Sequence, residues 1–527
     1  MPETNLAFAT IRELGAKLRS KEVTSVQLAE FFLSRLEKFG PVYNAVVRVT
    51  RDLAMAQAKQ ADEELKAGQD RGPLHGIPFG VKDLLATKGI PTSWGAAPLK
   101  DQMLDEDATV VVRLREAGAV LCAKLAMVEL AGGFGYKQAD ASFTGPGLCA
   151  WDKTCWSGGS SSGPGSAVGA GLIPFAIGSE TWGSIMTPAG YNGLAGLRPT
   201  YGRVSRHGAM ALSWTMDKLG PMCRTADDCG LVLDAIAGPD PLDPSSIVSE
   251  WKYDQSGGAA HAPLAPVFGG EGLGVRGSSS GEQPAKAQVR KEKAPLSLTL
   301  SPEDGGEGTK PNAQPSKVAE QARFKFATLD VDFARLAPEV RANYETSLEV
   351  LKQIGSFEAI KLPEFPYGTV ASTIISCEMG AAFEGFMTSG DVWELTAPED
   401  RFGGFSNLVI PAKDYINALR IRGKIQRAMD ELLSRFDAVV TPTLNTESGP
   451  ITQKFAEWSQ GFTSTELSGA SNAIGLPGIT IPNGFGARGL PTGLEFTGRA
   501  YNENTILAAA RAYQQRTDWH TKTPKVE

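Results

Sequence analysis

The sequence predicts an α/β protein built from packed layers of helix and strand. Three observations carry that expectation. Helix-like and strand-like stretches alternate, as at residues 110–117, which suit a helix ending near Gly118, and 119–123, which suit a short buried strand. From about residue 72 onward Gly and Pro punctuate short apolar runs, beginning with Gly72, Pro73, Gly76 and Pro78. Hydrophobic residues make up 42% of the 527, with nine Trp and 23 Phe, enough for a sizeable core. At about 150 residues per domain the length allows roughly three to four domains, and one large α/β core with insertions fits as well.

Residues 1–70 read as helices. Thr24 stands three residues before Gln27, the spacing of a capping box, and Leu28, Phe32, Leu36 and Phe39 follow at helical intervals with charges between them. Residues 54–67 continue in helix-forming Ala, Gln, Glu, Asp and Lys. Residues 254–317 differ: Gly, Pro and Ser number 11, 7 and 7, with one Phe and no Tyr or Trp. Such a stretch buries too little apolar surface to offset the entropy of ordering it, so it reads as a disordered insertion rather than an ordered loop. Strand-like sequence resumes at 324–327. Residues 436–440 and 476–482 read as strands bounded by prolines, and Asn504 reads as the cap of a last helix carrying Ile506, Ala509, Ala510 and Tyr513.

Composition excludes several function classes. A formal net charge of −7 argues against a protein that binds nucleic acid directly by neutralising phosphates. No uncharged apolar run approaches the roughly 18 residues of a membrane span. Residues 1–16 lack the basic start and apolar run of a signal peptide. Six cysteines are too sparse for a disulfide framework, and the six-residue separations of Cys149 from Cys155 and Cys223 from Cys229 match no C-x-x-C motif. Scattered free thiols suit a reducing, cytoplasmic compartment. Of four histidines, His261 lies in the low-complexity stretch and His520 near the end, so a catalytic histidine is confined to His75 or His207. No ligand spacing suggests a metal, and the expectation is no metal and no cofactor.

The informative region is 157–188. Eleven of the fifteen residues from 157 to 171 are Gly or Ser, a linker-like composition. This run, however, leads through helix-compatible Ser166-Ala167-Val168 straight into core-like Leu172-Ile173-Pro174-Phe175-Ala176-Ile177. Gly and Ser packed in this way imply close backbone approach, unusual φ, or N–H groups aimed at a ligand. The order G-x-x-x-x-G-K-[ST] of a phosphate loop is absent. A second serine-bearing turn follows, Gly178-Ser179-Glu180-Thr181-Trp182-Gly183-Ser184. A strand ending in a turn that presents a hydroxyl beside free amides can attack a carbonyl and hold the resulting oxyanion, although an ordinary glycine turn has the same composition. A serine nucleophile needs a base. Histidine is scarce, and a lysine in an apolar site loses ammonium solvation and can accept a proton. Lys82, after the short apolar run Gly76-Ile77-Pro78-Phe79-Gly80-Val81, is the candidate, with His75 and His207 left open.

Taken together, the chain resembles the amidase signature family. The matching strings are Gly76 to Asp83, Ser157-Gly158-Gly159-Ser160-Ser161-Ser162-Gly163, Gly178 to Ile185, and Gly196-Leu197-Arg198-Pro199-Thr200-Tyr201-Gly202-Arg203-Val204. Asp217 to Met222 and Gly475-Leu476-Pro477-Gly478 look family-like too, and the similarity spans nearly everything outside the insertion. The resemblance implies an amidase-signature α/β fold, a large mixed β-sheet flanked by α-helices on both faces. It divides the chain into an N-terminal helical region (1–70), the signature core (71–253), the insertion (254–321) and a C-terminal α/β part of the same domain (322–527). It implies a Ser-cisSer-Lys triad with Ser184 as nucleophile, Ser160 as the bridging serine in a cis peptide, and Lys82 as base. The backbone amides of Thr181, Trp182, Gly183 and Ser184 would form the oxyanion hole. Phe134, Tyr136 and Ser161 are the substrate-pocket candidates, with core packing the alternative for the two aromatics.

Two departures stand out. Trp182 replaces the first of two glycines common before the nucleophile, and Met186 stands where an arginine is common. The implied activity is hydrolysis of a small-molecule carboxylic amide, with esters and carbamates open to the same chemistry. Two alternatives remain: the A-type glutaminase subunit of a tRNA-dependent amidotransferase, whose partner would carry the RNA contacts, and a non-catalytic binding protein on the same fold. Oligomeric state is not legible, and a homodimer is compatible with it.

Overall fold

Strand pairing, rather than strand length, organises this molecule. The structure, a computed structural model, describes residues 4–248, 251–256, 324–330, 335–458 and 465–526. Its strands in chain order are β1 (Val46–Val49), β2 (Pro78–Lys82), β3 (Val120–Leu125), β4 (Phe175–Glu180), β5 (Ala195–Arg198), β6 (Lys218–Cys223), β7 (Phe324–Leu329), β8 (Gly355–Ile360), β9 (Ala438–Pro442), β10 (Gly478–Phe485) and β11 (Pro491–Thr497). They form one sheet in the order β1-β3-β2-β4-β6-β5-β10-β11-β9-β7-β8. β2 runs parallel to β3 and β4, β7 runs parallel to β8 and β9, and the other neighbours are antiparallel. Helices flank the sheet on both faces, so the α/β expectation holds.

The central strands show why. Every residue of β2, β3 and β4 is buried, as strands covered on both faces must be, and their sequences are continuously apolar or small up to their ends. Phe79 stacks on Phe175 across β2 and β4, with centroids 5.5 Å apart. β5 pairs with β10, which ties the two halves of the chain into one sheet.

Most elements read from the sequence are present. Thr24 caps the helix Ser25–Phe39 with a complete capping box, and Leu28, Phe32 and Leu36 are buried beneath it. The helices Arg51–Lys66 and Thr109–Glu116 and the strands β3, β4, β7, β9 and β10 lie within a few residues of expectation. Two readings need correction. Residues 1–70 are not all helix, because β1 adds an edge strand antiparallel to β3. Asn504 does not cap the last helix, Glu503–Gln514: it sits inside the first turn, donates to the carbonyl of Lys252 and accepts from the amide of Asp254. Asn502 occupies the cap position instead. The insertion read at 254–321 lies, after its first three residues, outside the described residues. Among the described residues no helix is long and apolar enough to cross a membrane.

Candidate active site

Lys82 is the last residue of β2, and its parallel neighbour β4 ends at Glu180. The register pairs Val81 with Ile177, which brings Ser179 beside Lys82. Loops leaving the carboxyl ends of adjacent parallel strands open a crevice, the usual place for a ligand in such sheets. Lys82 is fully buried, and its Nζ donates to Ser160 Oγ at 2.7 Å and to Ser179 Oγ at 2.9 Å. Burial pushes its pKa down to about 7, against the opposing pull of the Asp217 and Glu180 carboxylates. Position 82 therefore holds an amine that loses its charge near neutrality.

Ser160 follows a cis peptide bond from Gly159 and leads into the short helix Ser162–Gly169. Its carbonyl accepts from the amide of Val128 at 3.1 Å. Gly158 has φ +87°, and a Cβ there would come within 2.9 Å of the Pro188 backbone, so only glycine lets the two serine-bearing segments approach. Asn192 staples them together: its Nδ2 donates to the carbonyl and hydroxyl of Ser157, at 2.9 and 3.0 Å, and to the carbonyl of Pro188 at 2.8 Å. The amide of Ser161 reaches the carbonyl of Ser184 at 3.3 Å.

Ser184 sits in the turn between β4 and the helix Met186–Asn192. The turn is organised by Glu180, whose Oε2 accepts the amides of Ile185 and Met186, at 2.9 and 3.1 Å, while Oε1 pairs with Arg198 at 2.8 Å. All of this is buried. The amides of Trp182, Gly183 and Ser184, by contrast, donate to no acceptor among the described residues. Three consecutive N–H groups without partners, next to a serine, are the kind of donors a developing oxyanion requires. Gly183 takes φ +84°, whereas Trp182 is not in the left-handed region, so a bulky residue at 182 fits this turn without backbone strain.

The three triad candidates are thus brought to one place, but the relay is only half drawn. Lys82 and Ser160 are hydrogen-bonded, while Ser184 Oγ makes no hydrogen bond among the described residues. Nothing pins that hydroxyl, and rotation about χ1 moves it among three staggered wells. Catalytic hydrogen bonds in unliganded sites often tighten only when substrate is bound.

The remaining candidates are placed as follows. Thr181 donates its hydroxyl to Asp217 Oδ1 at 2.5 Å. Phe134 is buried in the main core against Phe383, with ring centroids 5.6 Å apart. Tyr136 is half-buried against Trp156 and Phe455, and its hydroxyl faces Gly159. Ser161 exchanges hydrogen bonds with the backbone of Ser179, donating to its carbonyl at 3.2 Å and accepting from its amide at 3.3 Å. His75 pairs with Glu64 at 3.1 Å, near the end of β2 opposite Lys82, and His207 lies 3.4 Å from Glu106.

Sequence reasoning missed Ser179 and Asp217. Ser179 is the second hydroxyl on Lys82. Asp217 accepts the Thr181 hydroxyl and the amides of Leu212 and Ser213, at 2.8 and 2.9 Å, which ties the turn after β4 to the loop before β6. The available signal for Ser179 was its place at the carboxyl end of a strand, but only strand order shows that the strand adjoins β2. Among the described residues no group of three or more His, Cys, Asp or Glu is placed to share a metal ion.

The model of the amidase family matches residues 27–263 and 303–507. The chain belongs to the amidase family. The A-type subunit of the glutamyl-tRNA(Gln) amidotransferase of Ralstonia nicotianae is 33% identical over 98% of this chain and 100% of its own length. Among solved structures, the native peptide amidase of Stenotrophomonas maltophilia superposes with a TM-score of 0.74 at 25% identity, covering 98% of both chains. The corresponding A-type subunit of the Thermotoga maritima glutamyl-tRNA(Gln) amidotransferase shares the fold, with a TM-score of 0.72 at 22% identity, covering 99% of this chain and 98% of that one. Family membership makes amidase-type C–N bond chemistry the frame for the site.

Proposed function

We propose that the chain is a serine amidase that hydrolyses a carboxylic amide to a carboxylate and an amine or ammonia through an acyl-enzyme on Ser184. The observation that carries this reading is a fully buried lysine, held on Ser160, beside a serine flanked by unpartnered amides. Neutral Lys82 accepts the Ser160 proton, and Ser160 accepts the Ser184 proton as Ser184 Oγ attacks the amide carbon. The oxygen of that carbon gathers charge facing the amides of residues 181–184. The proton then returns through Ser160 to the departing nitrogen, whose bond to carbon breaks. Water attacks the ester by the same route in reverse and restores Ser184. Lys82, Ser160 and Ser184 are the catalytic residues in this scheme.

The test is a turnover screen of aryl amides, aliphatic amides, glutamine, esters and carbamates, with Ser184→Ala as control, plus a fluorophosphonate probe. Turnover lost in Ser184→Ala, with probe attached at Ser184, supports the reading. Full activity in Lys82→Ala removes the lysine base, and failure of every probe to label Ser184 favours a non-catalytic binding protein.

A second reading has its own support in the names of relatives such as the Ralstonia protein. In it the same site releases ammonia from glutamine as the A-type subunit of an amidotransferase. Glutaminase activity that appears only with a co-purifying subunit would select it.

A further inference from the structure

We propose that Trp182 determines substrate specificity, walling the site beside the reacting carbonyl so that only short acyl groups fit. This rests on the amidase reading above. Trp182 supplies one of the unpartnered amides, so an oxygen hydrogen-bonded there, about 2.9 Å from the nitrogen, lies within reach of the root of that residue's own side chain. The indole runs from the turn to the pair of helices Tyr367–Ser389 and Thr465–Ala473. Its Nε1 donates to Ser468 Oγ at 2.6 Å, and its outer edge lies 3.9 Å from where a Cβ on Gly368 would stand. The ring packs against the apolar cluster that includes Met216, Tyr367 and Leu467, yet is not fully buried. With its one donor occupied by Ser468, the ring offers substrate only an apolar surface.

Past the outer edge of the ring, Gly368 and Gly469 present bare backbone. Gly469 packs so closely on Gly368 that a Cβ on Gly469 would sit 3.1 Å from the Gly368 amide nitrogen. A glycine at 182 would therefore leave a slot reaching from Ser184 towards Gly368 and Gly469. The indole fills that slot, and the Ser468 hydrogen bond holds it in one rotamer. An added methylene that a pocket cannot accept changes selectivity by about 10-fold or more, so the blocked slot should show as steep discrimination by chain length.

The test measures the rate of Ser184 labelling by two alkyl fluorophosphonates, one ethyl and one decyl. In this reaction the Oγ–P bond forms, the P–F bond breaks, and the hydroxyl proton goes to the relay as fluoride leaves. The wild-type protein should label with the ethyl probe at least about 10-fold faster than with the decyl probe. Trp182→Gly should bring the two rates together, and Trp182→Phe should keep most of the preference. Ser468→Ala, which frees the ring without removing it, should weaken the preference and keeps the question answerable if Trp182→Gly does not fold. Equal rates in the wild type, or an unchanged ratio in folded Trp182→Gly, overturns the proposal and leaves the amidase reading intact. An unchanged ratio in Ser468→Ala, where Trp182→Gly is unfolded, does the same. No labelling of Ser184 by either probe overturns both.

Discussion

Lys82 is a lysine that the fold holds close to neutrality. Loss of solvation outweighs the attraction of Asp217 and Glu180 and leaves the pKa at about 7 instead of the ordinary 10.5. The shift has one consequence for rate and one for stability. If neutral Lys82 is the base, kcat/KM rises with pH, falling about tenfold per unit well below 7 and levelling above it; a profile flat from pH 5 to 9 would contradict the assignment. For stability, the unfolded lysine binds a proton that the folded one does not between pH 7 and 10.5, so Lys82 costs stability increasingly as pH falls from 10.5 to 7, and the cost is full below 7. Lys82→Met should therefore be more stable than the wild type at pH 7, by up to roughly 5 kcal/mol less the lost hydrogen bonds, with the gap closing towards pH 10.5. Urea midpoints of the two proteins across that range would show it. Residue chemistry nominated Lys82 and the resemblance to the family nominated Ser160 and Ser184, but Ser179 stayed hidden because its role depends on which strand lies next to β4.

At the scale of the element, Glu180 organises the turn from its own position to Met186. Glu180 supplies both the carboxylate that fixes the Ile185 and Met186 amides and the partner of buried Arg198. Glu180→Gln leaves Arg198 with a weakened set of partners in the interior and should cost roughly 3–5 kcal/mol, read as a lowered thermal midpoint. Gly183→Ala forces a side chain into φ +84°, which should cost about 1–2 kcal/mol. If the shift also misaims one oxyanion amide, kcat should drop by roughly 10²–10³. A folded Gly183→Ala protein with wild-type kcat would count against these amides as the donors to the reacting oxygen. Elements themselves were legible where a local signal sufficed, as at the Thr24 box. Asn504 misled because an asparagine beside a helix start is as able to bond the chain at 252 and 254 as to cap its own helix.

The whole molecule brings together residues far apart in the chain: Lys82 from β2, Ser160 before the helix Ser162–Gly169, Ser179 and Ser184 around the end of β4, Asp217 before β6 and Ser468 from the C-terminal half. Under the favoured reading nothing further is needed to complete the site. The purified chain alone should then hydrolyse simple carboxamides at a rate that no second protein changes, measured by ammonia release before and after gel filtration. A rate that vanishes on separation from a co-purifying protein would instead support the amidotransferase reading.

The sequence by itself determined the chemical inventory, an α/β layering and the motifs that place the chain near its family, because residue type and short-range periodicity are written along the backbone. Tertiary structure alone decided that Lys82 is desolvated, that it bonds Ser179 as well as Ser160, that Phe134 packs in the core, and that Trp182 reaches Ser468. Those facts depend on strand order and helix crossing. Both arise from burying all the apolar faces at once, and no local stretch of sequence encodes that outcome.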